Sequence, residues 1–271
     1  MKLHDLTGAP ADAADRLLEL AKDIPLAGIE RSCKLAPHSL SHQRLLMANS
    51  PVALAGTPLA QAHLALQMPP SAIAAFEQDL ANANFVYLGF DGTKDSLAYR
   101  IYLEFPVNLA HQHDPATGRM APALLARGYK WNAGEAHGAQ MGTSDYWWEP
   151  RLTADQVLMR LTGLGAGDAQ AHPLVHAAIA AARARSNALD WTWLEVSEPQ
   201  SPRRSYDLNI YDAELTLNDL AEALRTTARQ FDIEPAAFEA WLAQRGTETF
   251  GHVSGGIGRD GQAFVTVYHA S

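Results

Sequence analysis

The chain has 271 residues, 47% hydrophobic and 19% charged, with a single cysteine. A core of that composition needs no disulfide, and the length suits one β-rich domain spanning 1–271. A formal charge of −9 argues against a nucleic-acid partner, and neither a signal peptide nor an apolar run of membrane-spanning length is present. These features predict a cytoplasmic protein with no nucleic acid and no membrane partner; the lone Cys33 suits a reducing compartment.

In chain order, helical periodicity covers 11–22, and β-rich segments follow at 28–35 and 41–48, joined through Pro37 and Ser39. The stretch 40–47 also fits a helix. Helical patterns at 59–67 and 71–80 precede a second strand pair, 85–91 with 97–105, and a third, 128–133 with 144–148. Helices are expected at 153–161 and 172–186, then strands 190–197 with 205–212. Helices at 215–230 and 235–244 lead to the last pair, 248–257 with 263–269. Thr153-Ala154-Asp155 and Asn218-Asp219 read as helix starts, and Gly89-Phe90-Asp91-Gly92 and Gly258-Arg259-Asp260-Gly261 as hairpin turns.

Strands that come in pairs between helical stretches predict an α+β fold. It would be a closed antiparallel β-barrel of about ten strands, built from five αββα repeats with the helices wrapped outside. Closure removes sheet edges, and ten strands leave a lumen wide enough for a ligand.

Alternation then assigns faces. Leu97, Tyr99, Ile101 and Leu103 belong under the helices, which turns Arg100 and Tyr102 inward. The same reading turns Asn209 and Tyr211 inward in the fourth pair, and Thr266 and Tyr268 in the fifth. One strand tyrosine is ordinary packing, but three in phase, with Tyr146 a fourth candidate, suggest a ring around one cavity. Basic residues on or beside strands are Arg44, Arg100, Lys130 and Arg204. Cations together with aromatic faces suit an allylic diphosphate, whose ionisation yields an anion for the cations and a carbocation for the rings.

Other motifs are weaker. Gly163-Leu164-Gly165-Ala166-Gly167-Asp168 lies between helices and reads as a helix break rather than a phosphate loop. His111-Gln112-His113-Asp114 and the pair His172 and His176 lack the partners of a zinc site, so no metal is expected there. No Asp-Asp-x-x-Asp occurs. Cys33 alternates away from Glu30 and reads as a small core residue.

The stretch Ile29-Glu30-Arg31-Ser32-Cys33-Lys34-Leu35, with Leu40 and Arg44-Leu45-Leu46, resembles the opening of the cyanobactin peptide prenyltransferases of the ABBA superfamily. Gly89-Phe90-Asp91, Arg100-Ile101-Tyr102 and the ending Ser254-Gly255-Gly256-Ile257 through Val267-Tyr268-His269 are similar to later strands of that family. The resemblance implies a prenyltransferase in which Glu30 is the catalytic base and Arg44 helps bind the diphosphate. The donor would be dimethylallyl or geranyl diphosphate, a co-substrate rather than a tightly bound cofactor, with or without Mg2+. The acceptor would be a side chain of a cyclic peptide. A free indole or phenol is the alternative acceptor, and a non-catalytic barrel for a hydrophobic ligand the alternative of another class.

Overall fold

The computed structural model describes residues 9–92, 97–108, 112, 120–132, 141–164, 172–185, 191–199 and 201–270. Its strands are β1 (Gly28–Ala36), β2 (Ser39–Ser41), β3 (Gln43–Asn49), β4 (Phe85–Gly92), β5 (Leu97–Glu104), β6 (Ala123–Asn132), β7 (Gly142–Glu149), β8 (Thr192–Ser197), β9 (Arg204–Asn209), β10 (Thr249–Ile257) and β11 (Ala263–Ala270). They hydrogen-bond in the order β11-β10-β9-β8-β7-β6-β5-β4-β3-β1-β2, and β11 also pairs with β1. The sheet is therefore a closed antiparallel barrel of ten strands. The three-residue β2 folds back on the end of β1 through Lys34 and Ser41.

The helices are α1 (Ala9–Ala21), α2 (Pro51–Leu54), α3 (Ala62–Ala65), α4 (Pro70–Leu80), α5 (Ala154–Gly163), α6 (His172–Arg185), α7 (Ala221–Gln230) and α8 (Pro235–Arg245). The expected start at Thr153 is a capping box: its hydroxyl accepts from Gln156 N while the Gln156 side chain accepts from Thr153 N. The segment 59–67 breaks into a 3-10 turn, Pro58–Gln61, and the short α3. The segment 215–230 opens with another such turn, Asn218–Leu220, before α7. The glycine-rich stretch after Leu164 and most of the His111–Asp114 motif lie outside the described residues.

One expected turn is not a turn. Gly89-Phe90-Asp91-Gly92 runs as β4, paired on both sides, with Gly89 opposite Leu46 and Arg100. A Cβ at Gly89 would fall 2.0 Å from the Leu45 carbonyl oxygen, so this glycine permits close approach of two backbones rather than reversal of the chain. The other expected turn holds: Gly258 N donates to Gln262 O at 2.8 Å, and Gly261 has φ +73°.

The chain divides into two compact units. In the first (Met1–Arg31, Gln43–Val107, Leu124–Tyr146), the outer face of the strands supplies Leu45, Met47, Val86, Leu88, Phe90, Tyr99, Ile101, Leu103 and Trp131 to a core that includes Leu17 of α1 and Phe76 of α4. Each such large apolar side chain contributes about 1.5–3 kcal/mol on burial. The Trp131 indole also donates to Leu66 O at 3.0 Å, tying β6 to the end of α3. In the second (Ser32–His42, Asn108–Ala123, Trp147–Ser271), Cys33, Trp193, Tyr206, Leu208, Val253, Val265 and Val267 pack with Leu161, Leu174, Leu224 and Phe238 from the helices. Trp193 and Tyr206 stack at 4.9 Å, nearly parallel.

Candidate active site

With the odd residues of β5 committed to the core, the register of the first unit lays the opposite face out in rows. Gly28, Ala48, Tyr87, Tyr102 and Gly128 stand across from one another. Beside them run Glu30, Leu46, Gly89, Arg100 and Lys130, and then Arg44, Asp91, Ala98 and Asn132.

The charged residues of this face converge on Asp91. Arg44 Nη2 lies 3.1 Å from its Oδ1, Lys130 Nζ lies 2.9 Å from Oδ2, and Arg100 Nη2 pairs with the same Oδ2. Arg44 is 4% exposed, so its guanidinium is held almost out of water. Three cations thus share one carboxylate on strands fixed by the sheet, in charge-assisted contacts of the stronger kind. Arg100 also donates through Nη1 to the Tyr102 hydroxyl at 2.9 Å, which links this cluster to the aromatic row.

Tyr102 and Tyr146 meet edge to face, with ring centroids 5.6 Å apart. Gly128 makes room for them: a Cβ there would come within 2.7 Å of the Tyr102 ring and 3.4 Å of Tyr146. Tyr87, not anticipated, donates to Glu104 Oε2 at 2.9 Å. Burial, then the Glu104 and Glu30 charges, push its hydroxyl well above the ordinary tyrosine value, so it stays a neutral donor. Glu30 itself is half-buried, in the row of Arg100 and Lys130.

The second unit carries its own polar cluster. On the face opposite Val253 and Leu208, His252 Nδ1 lies 2.9 and 2.8 Å from the two oxygens of buried Asp207. The His252 ring stacks on Tyr268 at 3.8 Å, 8° from parallel. Tyr268 thus occupies the face expected of it. Tyr211 does not sit on a strand: β9 ends at Asn209, and Tyr211–Ala213 is a 3-10 turn closed by Glu214 in the left-handed region. Its ring instead lies against Gly251, where a Cβ would fall 2.0 Å away, and stands 6.3 Å from His252. Arg204 is the other correction. It is exposed, on the face of β9 shared with Tyr206 and Leu208, because those side chains fill the helix-side core and leave Ser205, Asp207 and Asn209 for the opposite face. There it lines a cavity of about 620 Å³ with Trp147, Glu149 and Glu195.

The sequence reading gave no site role to Asp91, Tyr87, Glu104, Asp207 or His252. Asp91 was hidden by its turn-like neighbours. The other four alternate with buried neighbours, Tyr87 with Val86 and Leu88, Glu104 with Leu103, Asp207 with Tyr206 and Leu208, and His252 with Val253. That marks their face, but their partners are set by cross-strand register.

No protein-family model and no curated protein matches the chain. Among solved structures it is similar to AnaPT from Neosartorya fischeri, with 11% identity, 89% of this chain and 77% of that one covered, and a TM-score of 0.52. It is also similar to a 6-dimethylallyl tryptophan synthase, with 13% identity, 90% and 81% covered, and a TM-score of 0.58. A third is the 6-dimethylallyltryptophan synthase from Micromonospora olivasterospora in complex with DMASPP and Trp, with 12% identity, 90% and 82% covered, and a TM-score of 0.56. At these identities what the chain shares with them is the fold, a helix-wrapped closed barrel spanning nearly its whole length.

Proposed function

We propose that the chain is an aromatic prenyltransferase, moving a dimethylallyl or geranyl group from its diphosphate to an aromatic acceptor. The observation that carries this is the cluster of Arg44, Arg100 and Lys130 on Asp91, joined through Arg100 to the Tyr102–Tyr146 pair. As the C–O bond of the donor ionises, its electron pair leaves with the diphosphate, whose growing charge is met by the cations. The allylic cation left behind is stabilised by aromatic faces, an interaction worth about 2 kcal/mol or more when desolvated. Glu30 accepts a hydrogen bond from the acceptor and raises its nucleophilicity.

The fold shared with two solved structures of 6-dimethylallyltryptophan synthase supports the same reading, and the presence of DMASPP and Trp in one of those structures supports an aromatic acceptor. A peptide side chain as acceptor rests on the likeness of Ile29 to Leu35 to the cyanobactin enzymes. Mg2+, where it accompanies the donor, adds to the charge that the cluster supplies. A reducing cytoplasm suits the buried thiol of Cys33.

The test is to incubate the purified protein with dimethylallyl and geranyl diphosphate and a panel of tryptophan, tyrosine, indoles, phenols and short cyclic peptides, with product mass spectra as the readout. A prenylated aromatic product that falls by about 10²-fold or more in Glu30→Gln is expected. No product from any donor and acceptor, with a retained lipid found in the barrel, would overturn the proposal in favour of a binding protein.

A further inference from the structure

We propose that Glu104, held by Tyr87, is a specificity residue for the acceptor and selects an aromatic amine: a ring with a protonated amino group on a short side chain and no carboxylate beside it. This rests on the transferase reading above and names its acceptor class.

Glu104, Tyr87 and the cation cluster all belong to the first unit. Glu104 ends β5, on the face that it shares with Arg100 and Tyr102. A strand rises about 3.3 Å per residue, so Arg100 and Glu104 stand about 13 Å apart along the strand, with Tyr102 midway. The face reads cation, ring, anion in that order. The diphosphate belongs at the first and the reacting carbons beside the second, which leaves Glu104 for the far end of the acceptor.

The surroundings of the carboxylate decide what that end carries. Tyr87 donates to Glu104 Oε2 at 2.9 Å, while Oε1 makes no hydrogen bond or ion pair among the described residues. Phe85 stands directly across from Glu104, and its ring lies 5.3 Å from that of Tyr87, which stands across from Tyr102. An open carboxylate oxygen among aromatic faces attracts an ammonium, through a charge-assisted hydrogen bond and cation–π contact together. The charge of Glu30 also reaches Tyr87 and adds to the negative field. The residues paired in register with Glu104 are Phe85 and Ala126, neither of them charged, and Arg100 and Lys130 are gathered further along the strands on Asp91. A carboxylate on the acceptor would meet Glu104 with nothing beside it to balance the charge.

The experiment compares tryptamine, N-acetyltryptamine, tryptophan and indole-3-propionate as acceptors for wild type, Glu104→Gln, Glu104→Lys and Tyr87→Phe. In wild type tryptamine should have the lowest KM, about 10- to 100-fold below that of N-acetyltryptamine, the span of one hydrogen bond to a charged group. Glu104→Gln should bring those two KM values together, and Glu104→Lys should turn the preference toward indole-3-propionate. Tyr87→Phe keeps the charge, so it should shrink the preference without reversing it. Equal KM values for amine and amide in wild type, or an unchanged ratio in Glu104→Gln, would overturn the proposal while leaving the transferase reading standing. Calorimetric titration in the presence of a non-ionising thiolodiphosphate analogue of the donor needs no turnover. There too tryptamine should bind wild type more tightly than N-acetyltryptamine, and equal affinities would overturn the proposal whether or not transfer occurs. Selective binding with no transfer would count against the transferase reading alone.

Discussion

Replacing Asp91 by asparagine gives the sharpest test of the anion site. The carboxylate is the common partner of Arg44, Arg100 and Lys130, and its side chain is 13% exposed, against 5%, 16% and 35% for theirs. Asp91→Asn keeps the shape and leaves three cations facing one another with little water between them. Removing one member of a buried ion cluster costs about 3–5 kcal/mol, which for a chain of this size lowers the melting temperature on the order of 10 °C. A diphosphate restores the missing negative charge, so the loss should shrink when pyrophosphate or a non-ionising thiolodiphosphate analogue is added. The assay is thermal unfolding with and without the ligand. Pyrophosphate should raise the melting temperature of Asp91→Asn more than that of wild type. An equal rise in both proteins, or none in either, would refute the idea that this cluster receives the donor.

Arg44→Ala and Arg100→Ala should each weaken donor binding in calorimetric titration, with Arg100→Ala also freeing the Tyr102 hydroxyl from its 2.9 Å contact. Gly128→Ala drives a methyl against the Tyr102 ring and should divert donor to prenyl alcohol by admitting water to the cation; chromatography of the products reads this directly. Burial alone would raise the Glu248 carboxyl, but hydrogen bonds from His269 and Arg245 and their charges hold it below its ordinary value. A depressed carboxylate stabilises the fold fully above the ordinary value of 4.5 and loses that contribution as pH falls through the folded value. Glu248→Gln should therefore be less stable than wild type at pH 7, with the gap closing on acidification in denaturant titrations.

Arg100 and Tyr102 were legible because their strand alternates cleanly with Tyr99, Ile101 and Leu103, all of which are core residues. Val265 and Val267 placed Tyr268 in the same way. Tyr211 was misread because Ile210, buried like Leu208, extends the alternation one step past the end of β9 at Asn209. The chain turns there, and no two-residue period records a turn that keeps its apolar residue buried. Asp91 shows the opposite failure. A glycine on either side of Phe90-Asp91 has turn composition, yet Gly89 answers to a neighbouring backbone that the sequence cannot display. The Asp207–His252 pair joins residues 45 positions apart, and its partners become neighbours through the register of β9 and β10.

The pairing of β11 with β1 has a consequence for how the protein is made. Among the described strands, the one that closes the circuit is synthesised after all the others, and its partner before them. Until β11 emerges, both β1 and β10 present open edges, and the contact that seals them spans more than two hundred residues of chain. Such long-range closure is slow and leaves a sticky intermediate exposed meanwhile. Truncation ahead of Ala263 should accordingly yield aggregates rather than a smaller folded barrel, and slow synthesis or chaperones should raise the soluble yield of the intact chain.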